Sequence, residues 1–225
     1  ILVKNALLSL QCIAKFHKSQ FQIPTFAITG SNGKTIVKEW LYQLLAPYYD
    51  IVRSPKSYNS KIGVPMSIWQ INEKHNLAII EAGISTKNEM SALAAMINGQ
   101  IGIFTNIGDA HNEGFPSIEE KAREKSLLFE PAKTIIYCKD YTVIDMVLSD
   151  FKDKKLFSWS RNKNAIFHSI SIEKKGRQTH ISGIFQEKEI KIIIPFIDDA
   201  SIENAIHCWA ATLVLNIDNQ IIAPR

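Results

Sequence analysis

Short apolar runs alternate along the chain with stretches that read as helices. Residues 24–28, 77–83, 101–105 and 134–138 are near-continuous apolar runs of strand length, as expected of strands covered on both faces. Between them, residues 34–46, 86–97, 118–129 and 141–148 read as helices. Pro47 stops the first of these. Thr86-Lys-Asn-Glu89 and Ser117-Ile-Glu-Glu120 are capping boxes that start the second and third. Residues 1–17 carry Leu2, Leu7, Leu8, Leu10, Ile13, Ala14 and Phe16 at roughly helical spacing. A short strand at 51–53, a polar loop at 54–60 and a short helix at 66–71 complete the first half. This alternation predicts an α/β fold with a mostly parallel sheet wrapped by helices. After about residue 150 the pattern changes. Residues 155–158, 165–172, 178–184 and 188–195 read as short strands with turns at Lys175-Gly176 and Gln186-Glu187, a small antiparallel β extension on the sheet edge. Residues 201–215 return to a helix.

Composition narrows the class without naming it. With 225 residues, 46% hydrophobic and 21% charged, the chain can bury a sizeable core. A net charge of +4 with both signs interspersed gives no argument for nucleic acid and suits anionic, phosphate-bearing ligands. Cys12, Cys138 and Cys208 are odd in number and far apart. They make neither a disulfide framework nor a zinc pattern, which favours a reducing, cytoplasmic setting. No run is long and apolar enough to span a bilayer. The chain begins at Ile1 inside a helical pattern, so a fragment of something longer is expected.

The chemistry gathers where the first buried run breaks into Gly30-Ser31-Asn32-Gly33-Lys34-Thr35. Strand, glycine turn, Lys-Thr and helix is the layout of a phosphate-binding loop, in a shorter G-x-x-G-K-T form. Backbone N–H groups at the turn and the helix start would converge on an anion. Lys34 would reach the β/γ-phosphates and the Thr35 hydroxyl a Mg²⁺. The plainer alternative is a strand-to-helix turn with a surface lysine. Glu81 ends an otherwise apolar run, and a buried carboxylate is costly unless paired or metal-bound. It serves Mg²⁺, or a cap or salt bridge. His111 and Glu113 follow the third run, where a second metal or the γ-phosphate would lie, although a lone His is more often structural. At 100° per residue Ala122, Lys125 and Phe129 fall close to Ile118, which puts Lys125 inside an apolar stripe and Lys121 at its edge. A buried lysine snorkels, pairs with an acid, or becomes reactive.

Four motifs in order carry a resemblance: Ile-Thr-Gly-Ser-Asn-Gly-Lys-Thr35, Tyr58-Asn-Ser-Lys-Ile-Gly-Val-Pro65, Glu81-Ala-Gly-Ile-Ser85 and Ala110-His-Asn-Glu-Gly-Phe115. Together they resemble the Mur ligase family over about residues 7–215. Within it, the second and fourth resemble the branch that adds D-alanyl-D-alanine to UDP-MurNAc-tripeptide (UDP-N-acetylmuramoyl-tripeptide). The wording of residues 33–40 and 53–58 is closest to the form of that branch fused to an alanine racemase. The resemblance implies a lead-in helix and linker at 1–22 and a central ATP-binding domain at 23–225. The UDP-sugar domain and the C-terminal ligase domain would lie outside the chain. It implies that Lys34 and Thr35 bind ATP phosphates and Mg²⁺, that Glu81 and His111 hold Mg²⁺, and that Lys125 is carbamylated by CO₂ and acts as a metal ligand. Asn59 would lie near the phosphates and Asn204 would face the adenine. Two positions depart from the family pattern. Ala200-Ser201 stands where a His-Asn pair is common, and Ile36 where Thr is common. The alternatives are another ligase of the superfamily, such as a folylpolyglutamate synthase, and a nucleotide-binding or NTP-hydrolysing module without ligase chemistry.

Overall fold

A computed structural model describes residues 2–108 and 114–222. One sheet of nine strands runs through it in the order β2-β3-β1-β4-β5-β6-β7-β8-β9. The buried runs become β1 (Thr25–Thr29), β3 (Leu77–Glu81), β4 (Ile101–Phe104) and β5 (Thr134–Cys138), with β2 (Ile51–Arg53) and β6 (Lys155–Trp159) outside them. All of these pair in parallel. The expected antiparallel extension is β7 (Phe167–Lys175), β8 (Gln178–Phe185) and β9 (Lys188–Ile194), which continue the same sheet. Gln186 and Glu187 both take positive φ in the last hairpin turn.

Helices α1 (Ala6–Ser19), α3 (Gly63–Ile68), α4 (Met90–Ile97), α5 (Ile118–Ser126) and α6 (Thr142–Leu148) cover one face of the sheet. Helices α2 (Lys34–Leu45) and α7 (Asp199–Val214) cover the other, with a short α8 (Asn219–Ile222) beyond them. Alternation along β1 feeds both cores, since Ala27 joins the first and Phe26 and Ile28 the second. The strands flanking the middle of the sheet are therefore buried on both sides, which is why their runs are uninterrupted. After β1 the chain passes to the α2 face, whereas after β3 it passes to the α4 face. The crevice at the C-terminal ends of β1 and β3 is thus a topological switch point, where α/β sheets take ligands.

Two local expectations are corrected. Helix α4 begins at Met90 rather than near Thr86. Glu89 does reach back, accepting from the N–H of Ser85 at 3.0 Å and of Thr86 at 3.4 Å, but this closes a turn rather than a first helical turn. The helix start is supplied from another element: Glu124 Oε1 accepts from the N–H of Glu89 and Met90 at 3.0 and 3.1 Å. At the second box the Ser117 cap forms as expected, accepting from Glu120 N–H at 3.1 Å, whereas the Glu120 carboxylate pairs with Lys87. In α5, Ile118 is 37% exposed and does not centre an apolar stripe. The buried face is Lys121, Ala122, Glu124, Lys125 and Ser126. Beyond it the chain tightens into a 3₁₀ turn, Leu127–Phe129, that buries Leu128 and Phe129.

The α7 layer contains a titratable group. His207 is wholly buried, with Nε2 2.7 Å from the Thr105 carbonyl and Nδ1 accepting from Trp159 Nε1–H at 3.2 Å. These partners fix the neutral tautomer with the proton on Nε2. Burial lowers its pKa from 6.5 to about 4, against the bond to Thr105. Between those values the unfolded chain binds the extra proton, so this contribution is complete above pH 6.5 and is lost as pH falls towards 4. At about 1.4 kcal/mol per unit the whole window is worth about 3 kcal/mol. Urea melts across pH 4–7 should show a steeper acid loss for the wild type than for His207→Gln. Parallel profiles would show that His207 charges without cost in the fold.

Candidate functional site

The loop between β1 and α2 is shaped by two glycines and gripped by the exit of β4. Gly30 has φ +147°, and a β-carbon there would lie 2.0 Å from Thr105 Oγ1. Gly33 has φ +81°, and its β-carbon would lie 2.2 Å from Asn204 Oδ1. Neither position accommodates a side chain. The Thr105 hydroxyl donates to the Asn32 carbonyl at 2.6 Å. The expectation that every turn amide faces one spot is corrected at two positions, because Ser31 and Asn32 N–H both donate to Asn106, at 2.9 Å each. Gly33 caps α2 through its backbone, with no side-chain bond. The amides of Lys34, Thr35 and Ile36 open the helix without intrahelical acceptors and are the ones placed for an anion.

Two groups of side chains meet at this loop. On the β3 side, Glu81 is wholly buried. Its Oε1 accepts from Asn59 Nδ2 at 2.7 Å and from the Thr35 hydroxyl at 3.3 Å. Its Oε2 is 3.4 Å from Lys38 Nζ, yet it is buried without a hydrogen bond. The distance satisfies an ion pair while the angles do not satisfy a hydrogen bond. A buried carboxylate whose Oε1 meets the Thr35 hydroxyl supplies two hard oxygen donors side by side, which fits a hard cation that needs few protein oxygens when phosphates and water complete its shell. Among the described residues no cluster of three or more His, Cys, Asp or Glu side chains exists that could cage a metal alone.

On the α5 side, Lys34 Nζ folds back onto the carbonyls of Gly30 and Ser31 at 2.9 and 3.1 Å. Lys125, 3% exposed, donates to the same Gly30 carbonyl at 3.3 Å. Lys121, 1% exposed, donates to the Gly108 carbonyl at 2.6 Å. Burial, and then the charges of Lys34 and Lys121, pull the Lys125 pKa down to about 7. Burial also lowers Lys34, with Glu81 opposing and Lys121 reinforcing. The lysines line a cavity of about 380 Å³ with Ser31, Asn59 and Gly83. It suits an anionic group brought against the loop.

The structure therefore brings Gly30, Ser31, Gly33, Lys34, Thr35, Asn59, Glu81, Lys125 and Asn204 together. Asn32 N–H and its carbonyl are engaged by Asn106 and Thr105, on the loop itself. His111 and Glu113 lie outside the described residues. Sequence reasoning missed Lys38 and underrated Lys121. Lys38 shares the buried stripe of α2 with Val37, Leu41 and Leu45, so the periodicity that found Lys125 would have found it. Thr105 and Asn106 carried no signal beyond their place at a strand end.

Parallel sheet, glycine loop at the switch point and Lys-Thr at the helix start define a phosphate-loop α/β domain. Residues 28–212 match the family described as the Mur ligase middle domain, and the chain belongs to that family. It is 27% identical over 214 residues to the UDP-N-acetylmuramoyl-tripeptide--D-alanyl-D-alanine ligase of Bacillus subtilis, covering 94% of this chain and 46% of that one. The structure overlays MurF from Acinetobacter baumannii with a TM-score of 0.91 at 21% identity, covering 100% of this chain and 50% of that one. For MurF from Thermotoga maritima in complex with ADP the TM-score is 0.87 at 18% identity, covering 99% and 53%. The chain spans about half the length of these relatives.

Gly33 offers a direct test of the loop. A β-carbon at φ +81° costs about 1–2 kcal/mol in strain and displaces Asn204. Gly33→Ala should lower ADP affinity by at least about tenfold in calorimetric titration while the far-UV spectrum is kept. Unchanged affinity would mean that the loop's shape does not determine nucleotide binding.

Proposed function

We propose that this chain is the ATP- and Mg²⁺-binding part of a ligase that joins D-alanyl-D-alanine to UDP-MurNAc-tripeptide in the cytoplasm, in the synthesis of peptidoglycan precursors. In the reaction, the tripeptide carboxylate attacks the γ-phosphorus of ATP, the bond to the β-phosphate oxygen breaks, and an acyl phosphate and ADP result. The dipeptide amine then attacks the acyl carbon and phosphate leaves. Little covalent chemistry is asked of the protein, so catalysis rests on positioning and charge neutralisation.

The observation that carries this reading is the Lys125 amine, buried against the Gly30 carbonyl with its pKa pulled down to about 7. A neutral amine there can add CO₂, turning a buried cation into an anion beside the loop. Lys34 and the first amides of α2 would hold the phosphates. Thr35, Glu81 and carbamylated Lys125 would hold Mg²⁺, which neutralises charge on the transferring phosphoryl group. Asn59 orients Glu81. The Asn204 side chain lies against Gly33, and Asn204 would face the adenine. His111 joins the proposal on its motif alone, and the racemase-fused form on the wording of two stretches. The division into a lead-in segment at 1–22 and a nucleotide domain from 23 is likewise proposed. Helix α1 packs on α3 and α4, with His17 stacked on Trp69 and bonded to the Ile71 carbonyl at 2.9 Å. A cytoplasmic setting agrees with three unpaired cysteines. Among the described residues no helix is long and apolar enough to cross a membrane.

Peptide-level mass analysis in bicarbonate, without an acid quench, should find about +44 Da at Lys125, the mass of CO₂ added to an amine. In a ligating preparation, Lys125→Ala should lose roughly 10²-fold in turnover and recover in part with a small carboxylic acid. An unmodified Lys125 together with normal ligation by Lys125→Ala would leave a nucleotide-binding or hydrolysing module as the better reading.

A further inference from the structure

Lys38 is a buried cation on the β3 side of the loop that the ligase chemistry does not use. It sits one turn into α2, with no exposed surface. Its ammonium lies 3.4 Å from Glu81 Oε2 and 3.2 Å from Glu39 Oε1, and it donates to the Lys56 carbonyl. Lys56 has φ +47°, so this bond secures a loop that bends sharply just before Ser57 and Asn59. Ser57 meets the Thr35 hydroxyl at 3.3 Å, and Asn59 holds Glu81 Oε1. Glu39 is itself engaged by Arg53 at 2.9 Å. The two oxygens of Glu81 are thus divided: Oε1 faces Thr35 and Asn59, and Oε2 faces a fixed positive charge.

We propose that Lys38 is a positioning residue that couples metal binding at Glu81 to nucleotide binding. This rests on the reading of Glu81 as a metal ligand. A divalent cation at Glu81 shares its carboxylate with an ammonium that cannot move into solvent. Like charges a few ångströms apart in a buried site repel strongly. Glu81 facing both cations, with Glu39 shared between Lys38 and Arg53, leaves an excess of positive charge, which the phosphates of a bound nucleotide cancel. Metal alone is therefore held weakly at Glu81, and metal with nucleotide is held well. The Lys38 stem also fixes the 54–60 loop, so the carboxylate is oriented before either ligand arrives.

Mn²⁺ binding to the 225-residue chain, followed by electron paramagnetic resonance with and without ADP, tests this. In the wild type, ADP should tighten Mn²⁺ binding strongly. Lys38→Met should tighten binding of Mn²⁺ alone by at least about tenfold and shrink the gain from ADP by a similar factor. Lys38→Arg, which keeps the charge, should restore the wild-type coupling. Lys38→Gln removes the charge while keeping a donor for the Lys56 carbonyl, and decides the same question if the Met variant does not fold. A merely structural role would weaken both binding events together and leave their ratio alone, and that result overturns the inference. So does failure of both neutral variants to fold. Glu81→Gln separates the two readings. If it leaves Mn²⁺ binding with ADP unchanged, the metal assignment of Glu81 is wrong. If it abolishes binding while Lys38→Met leaves the coupling intact, only the role of Lys38 is wrong.

Discussion

The loop between β1 and α2 keeps its shape because the end of β4 is pressed into it. Thr105 fills the space that a side chain at Gly30 would take, and its hydroxyl ties down the Asn32 carbonyl. Asn106 takes two of the loop amides. Behind them the Thr105 carbonyl is held by His207, and His207 by Trp159 of β6. The loop is thus the outermost link of a buried hydrogen-bonded chain that crosses from β6 through α7 to β4. Buried polar chains of this kind are stabilising only when each member is satisfied. That is why a histidine outside the cavity lining is held neutral, and why the order β1-β4-β5-β6 bears on the site as well as on the core.

The second constraint is electrostatic. Glu81 lies on one side of the loop, and Lys34, Lys121 and Lys125 line the cavity on the other. Burying charge is expensive, and burying like charges together adds repulsion. The lowered pKa values of Lys34 and Lys125 express that expense. A site arranged this way gains from any anion that enters. The same arrangement explains why the Lys34 ammonium folds back onto two loop carbonyls: they are the acceptors within its reach.

Much of the fold was legible because burial on both faces leaves an uninterrupted apolar run. The runs ending at Glu81 and Phe104 stood out, and so did the change to hairpins after residue 150. The start of α4 was misread because its amides are satisfied by Glu124 of a distant helix, and no local window contains that partner. Within the site, Gly30, Gly33, Lys34, Thr35 and Glu81 were legible from chemistry at fixed spacing. Asn59 and Asn204 came only from resemblance. Lys38 and Lys121 were obscured because a lysine on a helix is ordinarily a solvated residue. Thr105 and Asn106 were obscured because their role depends on register between β1 and β4.

Helix α5 shows what such a site demands of its supports. Its buried face is mostly charged, with Lys121, Glu124 and Lys125 all turned inward. Hydrophobic burial contributes little to holding it, since Ala122 is the apolar side chain among the five residues buried there. Its place is fixed instead by polar bonds at both ends of that face: Glu124 to the start of α4, and the two lysines to the carbonyls of Gly108 and Gly30. A helix held this way is coupled to what the loop binds. An anion that draws Lys125 away from the Gly30 carbonyl removes one of the bonds that seat α5, and α5 carries the cap of α4. Ligand binding at the loop is therefore linked to the α4–α5 layer through side chains already in contact, without any rearrangement of the sheet.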